Sequence, residues 1–184
     1  FKTWRVELEK SLAASAASVG GAGQTADLFG APPDAPVAAP LDKHYDTVLD
    51  WPTFERWLGL IESAELVALD TETDSLDAMQ ARIVGLSFSV KPGEGAYIPL
   101  RHNGPGAPDQ LPLDEVLARL KPWFENAARP KLGQNIKYDT HVLANHGIVV
   151  RGYVHDTMLQ SYVLEAHKPH NLESLASRHL GRSG

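Results

Sequence analysis

The sequence predicts an α/β domain, a mixed β-sheet with helices packed against it. Three observations carry this. Short apolar runs of strand character lie at 67–69, 82–90 and 96–100. Between and after them, apolar residues recur at helical spacing, as in Phe54, Trp57, Leu58 and Ile61, and again in Leu113, Val116, Leu117, Leu120, Trp123 and Phe124. The resulting order, β-α-βββ-α-β-α-(β)-α, sets three successive strands as an antiparallel meander ahead of strands that alternate with helices.

The elements follow in order. Phe1, Trp4 and Leu8 have helical spacing, and Glu7 and Lys10 can pair along that helix, so residues 1–17 read as a helical tail. The abrupt start at Phe1 reads as a cut inside a longer polypeptide. Residues 18–42 turn to Ala, Gly and Pro without periodicity and read as a linker, flexible at its Gly end and stiffer at its Pro end. Its glycines precede no Lys-Ser/Thr and follow no strand, so they are no phosphate loop. The folded domain runs over 43–184. It opens with a strand at 45–49, then a helix capped by Asp50 or Thr53. A strand carrying Asp70 and Glu72 comes next, then the strands at 82–90 and 96–100, with a Lys91-Pro92-Gly93-Glu94-Gly95 turn between them. After the helix at 113–124 come a short strand at 131–135, a helix closed by Gly147, a short strand near 149–154, a helix starting at Asp156 and a last helix at about 172–180.

Composition narrows the classes. The 184 residues are 43% hydrophobic and 22% charged, ordinary for a globular protein with its own core. No apolar run approaches the roughly 20 residues that cross a membrane, and no signal peptide is visible, so no membrane partner is expected. With no cysteine there is no disulfide and no thiolate metal site, which suits a cytoplasmic location. The net charge of −6 argues against broad, nonspecific nucleic-acid binding but leaves room for a small acidic metal site facing a phosphate backbone through cations.

Val67-Ala68-Leu69-Asp70-Thr71-Glu72 is the stretch around which the rest is arranged. On a strand, Asp70 and Glu72 point to the same face. Two carboxylates side by side at the end of a buried strand repel unless cations compensate them, and hard divalent cations take oxygen ligands. Taken alone, Asp-x-Glu also fits a solvated acidic turn. Asp139, in Gly133-Gln134-Asn135-Ile136-Lys137-Tyr138-Asp139, lies just inside a helix start after a strand end, where α/β sheets place their sites. Taken alone it also fits a capping or dipole residue.

Together these stretches resemble the 3′–5′ proofreading exonuclease domain of bacterial family A DNA polymerases, the DNA polymerase I type. The resemblance runs through Leu69-Asp70-Thr71-Glu72-Thr73-Asp74-Ser75-Leu76-Asp77, Val84-Gly85-Leu86-Ser87-Phe88, Ala96-Tyr97-Ile98-Pro99, the 133–139 stretch, Leu143-Ala144-Asn145, and Asp156-Thr157-Met158-Leu159-Gln160-Ser161-Tyr162. It covers about 43–182, and Phe1-Lys2-Thr3-Trp4 is similar to the end of a preceding 5′-nuclease domain. It implies a ribonuclease H-like fold and a two-metal mechanism: Asp70 bridging both ions, Glu72 holding the ion that activates the attacking water, Asp139 serving the second. The ions would be Mg²⁺ or Mn²⁺, with Zn²⁺ possible. The implied substrate is a single-stranded or frayed DNA 3′ end, contacted by Thr73, Leu76, Gln134, Asn135 and Tyr138. Leu76 would wedge against the terminal base and Tyr138 stack on or bond to the strand. Without the family, Leu76 and Tyr138 fit core packing equally well. The implied partners are polymerase and 5′-nuclease domains of one parent chain.

The family's fourth carboxylate, an Asp four residues after a Tyr, is absent. Four residues after Tyr45, Tyr97, Tyr138, Tyr153 and Tyr162 stand Leu49, Arg101, Val142, Thr157 and Ala166. The variant with His and an Asp five residues later fails as well. Three of four ligands are therefore expected here, with weak or no activity of this chain alone. Asp156 reads as an N-cap, Asp74 and Asp77 as turn residues, and the histidines as non-ligands. The alternatives are a non-catalytic structural or DNA-end-binding module, and a 3′–5′ exoribonuclease of the ribonuclease D kind.

Overall fold

The structure is a computed structural model that describes residues 43–180. The readings for 1–17 and 18–42 lie outside the described residues. Six strands, β1 (His44–Thr47), β2 (Val67–Thr73), β3 (Ile83–Lys91), β4 (Glu94–Pro99), β5 (Lys131–Gly133) and β6 (Tyr153–Asp156), form one sheet in the order β1-β4-β3-β2-β5-β6. The expected meander is there: β2, β3 and β4 pair antiparallel. β1 joins β4, β5 joins β2 and β6 joins β5, all in parallel. The helices are α1 (Trp51–Ser63), α2 (Leu113–Phe124), α3 (Ile136–Asn145), α4 (Thr157–Leu164) and α5 (Leu172–Leu180).

Alternation along β2 organises the interior. Val67 and Leu69 enter the main core with Phe54, Trp57 and Ile61 of α1, Phe88 of β3, Trp123 and Phe124 of α2, and Val142 and Leu143 of α3. Ala68 faces the other way, onto Leu132. Phe88, Trp123 and Phe124 pack as an aromatic cluster with centroids 5.3–6.3 Å apart. Lys131 is fully buried. Its Nζ lies 4.3 Å from the Trp123 ring centroid and donates to the carbonyls of Asn126 (3.1 Å) and Arg129 (2.8 Å). Burial, then the charge of Arg129, lowers its pKa to about 8.

Asp50, not Thr53, caps α1, accepting from the Thr53 N–H at 2.8 Å. This draws the chain out of the sheet early, so β1 ends at Thr47 rather than at residue 49. β6 begins later than expected, because 149–151 are held elsewhere. Val149 N donates to Glu125 and Arg151 N to the Phe124 carbonyl. Gly152 then turns with φ 81, where a Cβ would sit 2.6 Å from the Arg129 carbonyl oxygen. Gly147 closes α3 with φ 73; its N–H reaches the Ala144 carbonyl and that of Ile148 reaches Leu143, a Schellman ending.

Candidate active site

Asp70 and Glu72 follow Ala68 on its face of β2, at the end of the strand where β5 has run out. The β2–β5 pairing reaches only Val67 and Ala68. Beyond it, the Thr71 N–H on that side has no strand to pair with. Asp139, from the first turn of α3, takes the place: its Oδ1 accepts from Thr71 N at 3.1 Å and from Thr71 Oγ1 at 2.6 Å. Asp139 is only 2% exposed. The structure thus carries a carboxylate 68 positions away to the residue between Asp70 and Glu72.

The electrostatics report crowding. Burial, then the charges of Asp139 and Glu72, raises the Asp70 pKa to about 8. Burial raises Asp139 to about 6; the Thr71 bonds oppose the rise and Asp156 adds to it. The Tyr97 phenol is pushed up to about 12 by burial and by Glu72. Tyr97 reaches Glu72 across β3 because the residue beneath its ring is Gly85, the partner of Glu72; a Cβ there would collide with the Tyr97 ring. Burial and then Asp139, Asp70 and Asp156 raise the pKa of Tyr153. Among the described residues, no Lys, Arg or His forms an ion pair with Asp70, Glu72 or Asp139.

This donor set is all oxygen and, among the described residues, has no Lys, Arg or His paired with it, which fits hard divalent cations. It is not a finished cage. Among the described residues, no three His, Cys, Asp or Glu side chains are arranged to hold an ion, and Asp139 commits Oδ1 to Thr71.

The other sequence candidates divide. Leu76 is 99% exposed, so it is no core residue. The Tyr138 hydroxyl donates to the Ser75 carbonyl and contacts Thr73 Oγ1, both at 2.5 Å; it clamps the turn after β2 that presents Leu76. Thr73 Oγ1 also donates to the Ser75 carbonyl (3.0 Å). Gln134 is tied inward, donating to the His170 carbonyl (3.0 Å) and accepting from Thr157 Oγ1. Asn135 is exposed, in the left-handed region at φ 60, with no capping bond from its side chain. Asp74 and Asp77 are turn residues, accepting from Arg82 N and Met79 N. His146 accepts from Ile83 N. Asp156 caps α4 as expected. The sequence reading missed Thr71 as the anchor of Asp139 and Tyr97 as the neighbour of Glu72. It also missed a second set of bonds to Asp156. The glycine opposite Glu72 was the one available signal, and it becomes legible only with the register.

Comparison with known proteins gives the family. A family model described as 3′–5′ exonuclease matches residues 45–183. DNA polymerase I of Pseudomonas aeruginosa is 50% identical over 153 residues, 82% of this chain and 16% of that protein; the chain spans about a sixth of this relative's length. Among solved structures, the polymerase domain of Pol1 from M. smegmatis, in complex with DNA primer-template and dNTP, superposes with TM-score 0.60 at 25% identity over 75% of this chain and 23% of that one. Brucella melitensis NrnC with bound Mg²⁺ superposes with TM-score 0.54 at 19% identity over 78% of this chain and 64% of its own. The fold is accordingly ribonuclease H-like, a mixed six-stranded sheet with flanking helices. The chain belongs to the 3′–5′ exonuclease family and is homologous to the exonuclease domain of DNA polymerase I.

Proposed function

We propose that this chain carries the proofreading site of a DNA polymerase I, which removes mismatched nucleotides from DNA 3′ ends during replication and repair synthesis. Residues 43–184 would form the exonuclease domain, 18–42 a linker and 1–17 the end of a 5′-nuclease domain. The partners would be the polymerase and 5′-nuclease domains of the same parent, in the cytoplasm. Among the described residues no helix is long and apolar enough to cross a membrane. The observation that carries the reading is the delivery of Asp139 to Thr71, between Asp70 and Glu72, with no Lys, Arg or His paired to the three carboxylates among the described residues.

Asp70, Glu72 and Asp139 would hold two divalent cations, Mg²⁺ or Mn²⁺, with Zn²⁺ also compatible; the Mg²⁺ of NrnC supports the choice. When bound, such cations would supply charge that stabilises the attacking and leaving oxygens of a phosphodiester. The chain's own residues supply the rest. Asp70, whose pKa is pushed up to about 8 by burial and its neighbouring carboxylates, would give up its proton on holding cations. Leu76 offers an open apolar wedge to the terminal base, and Tyr138 fixes the turn that presents it. Asn135, exposed at the start of α3, would meet the DNA strand there, with Gln134 beside it held by the His170 carbonyl and Thr157.

The test is release of nucleoside monophosphates from a 3′-mismatched, labelled DNA with Mg²⁺, by this chain and by one extended with the segment that follows in the longer relatives. The reading expects slow release by the first, faster release by the second, and none from either with Asp70→Ala. Equal release with and without Asp70 would sink it. Preference for single-stranded RNA over DNA would move it to the ribonuclease D class.

A further inference from the structure

Two helices begin at one carboxylate. α4 is capped by the residue before it: Asp156 Oδ1 accepts from Met158 N at 2.9 Å and Leu159 N at 3.2 Å. α3 has no side-chain cap of its own, since Asn135 stands in the left-handed region and makes no capping bond. Its leading N–H groups go to Asp156 instead, Asn135 N to Oδ1 at 3.2 Å and Ile136 N to Oδ2 at 3.0 Å. The parallel pairing of Gly133 with Asp156 brings that carboxylate to the start of α3. Asp156 is 8% exposed, and these four backbone donors come from two segments about twenty residues apart. A carboxylate at a helix N-terminus is favoured by the unpaired N–H groups and by the dipole; here both helices share it.

α3 carries Asp139 in its first turn, and Asp139 holds Thr71 between Asp70 and Glu72. The path Asp156 to Ile136, α3 to Asp139, Asp139 to Thr71 is continuous in hydrogen bonds and one helical turn. We propose that Asp156 is a positioning residue of the carboxylate site: by capping α3 from another strand, it sets where Asp139 meets β2. The consequence for cation binding rests on the nuclease reading above; the positioning itself does not.

The experiment uses the whole 184-residue chain, free of metal, and follows the Thr71 amide by NMR shift and hydrogen exchange. Asp156→Asn keeps the size but replaces one acceptor oxygen by a donor. Asp156→Ser keeps a good cap for α4 while being too short to reach α3, so it reports even if the Asn variant does not fold. Asp50→Asn is the control, the same exchange at the N-cap of α1, a helix that carries none of the three site carboxylates. The expected result is Thr71 exchange faster by roughly tenfold or more in both Asp156 variants, as when a charge-assisted hydrogen bond is lost, and no change in Asp50→Asn. A Thr71 amide unmoved in a folded Asp156 variant, or moved equally by Asp50→Asn, overturns the proposal. Mn²⁺ titration of the same samples separates the two ideas. A wild-type chain that binds no Mn²⁺, with Thr71 still loosened by Asp156→Ser, ends the metal reading and leaves the positioning intact.

Discussion

The two halves of β2 are built on opposite principles. From Val67 to Leu69 the strand runs between β5, paired at Val67 and Ala68, and β3, paired from Ala68 on, and its side chains are buried in apolar surroundings on both faces. From Asp70 onward β5 is gone, an aspartate from α3 replaces it as the partner of Thr71, and two more carboxylates crowd the same end. The first half stabilises the fold. The second is a local liability in the metal-free protein, one that the first half and α3 hold in place.

Breaking the apolar half should have the largest effect. Leu69→Ala removes a fully buried side chain from the main core and should cost about 3 kcal/mol in denaturant unfolding. The acidic half should respond with the opposite sign. The folded-state pKa of Asp70, about 8, lies above its ordinary 3.8, so the folded protein prefers the protonated form. The corresponding stability is complete below about pH 3.8 and is lost as pH rises toward 8; Asp139 adds a loss that ends near pH 6. Asp70→Asn should therefore stabilise the metal-free chain at pH 8 by on the order of 2 kcal/mol, with the gain vanishing near pH 4. Melting curves across pH check it; a variant less stable than wild type at pH 8 contradicts it.

Much of this contrast was legible in the sequence, and the illegible part has a physical cause. The strand–helix order, the Asp50 cap and the Gly147 ending follow from local rules, and those elements stand where the spacing puts them. β1 and β6 shifted because their limits are set by Asp50 and by Gly152 against α2's end, not by their own apolar residues. Lys131 sits buried in a strand because Trp123 and two carbonyls from 126 and 129 surround its ammonium, which no pattern around residue 131 announces. Asp139 and Asp156 were visible as residues near helix starts. Their partners, Thr71 on β2 and Asn135 and Ile136 on α3, are tertiary facts.

Smaller changes sharpen the comparison. Thr71→Val deletes the 2.6 Å hydroxyl bond to Asp139 and should cost about 1–2 kcal/mol, and it should raise the Asp139 pKa further, since that bond opposes the rise. An NMR titration of the Asp139 carboxyl carbon reads the shift, and a fall would contradict the assignment. Tyr138→Phe should cost about 1 kcal/mol in thermal unfolding by releasing the Ser75 turn. Leu76→Ala, at a side chain in open solvent, should leave stability within about 0.5 kcal/mol while slowing nucleotide release.

The central claim is that Asp70, Glu72 and Asp139 act on cations as one site. Mn²⁺ titration at pH 8 of the wild-type chain, Asp70→Ala and Asp139→Ala, with proton release followed in parallel, tests it most directly. Saturable binding with proton release in wild type, lost or greatly weakened in both variants, is the predicted result. Identical Mn²⁺ isotherms for all three proteins would contradict it.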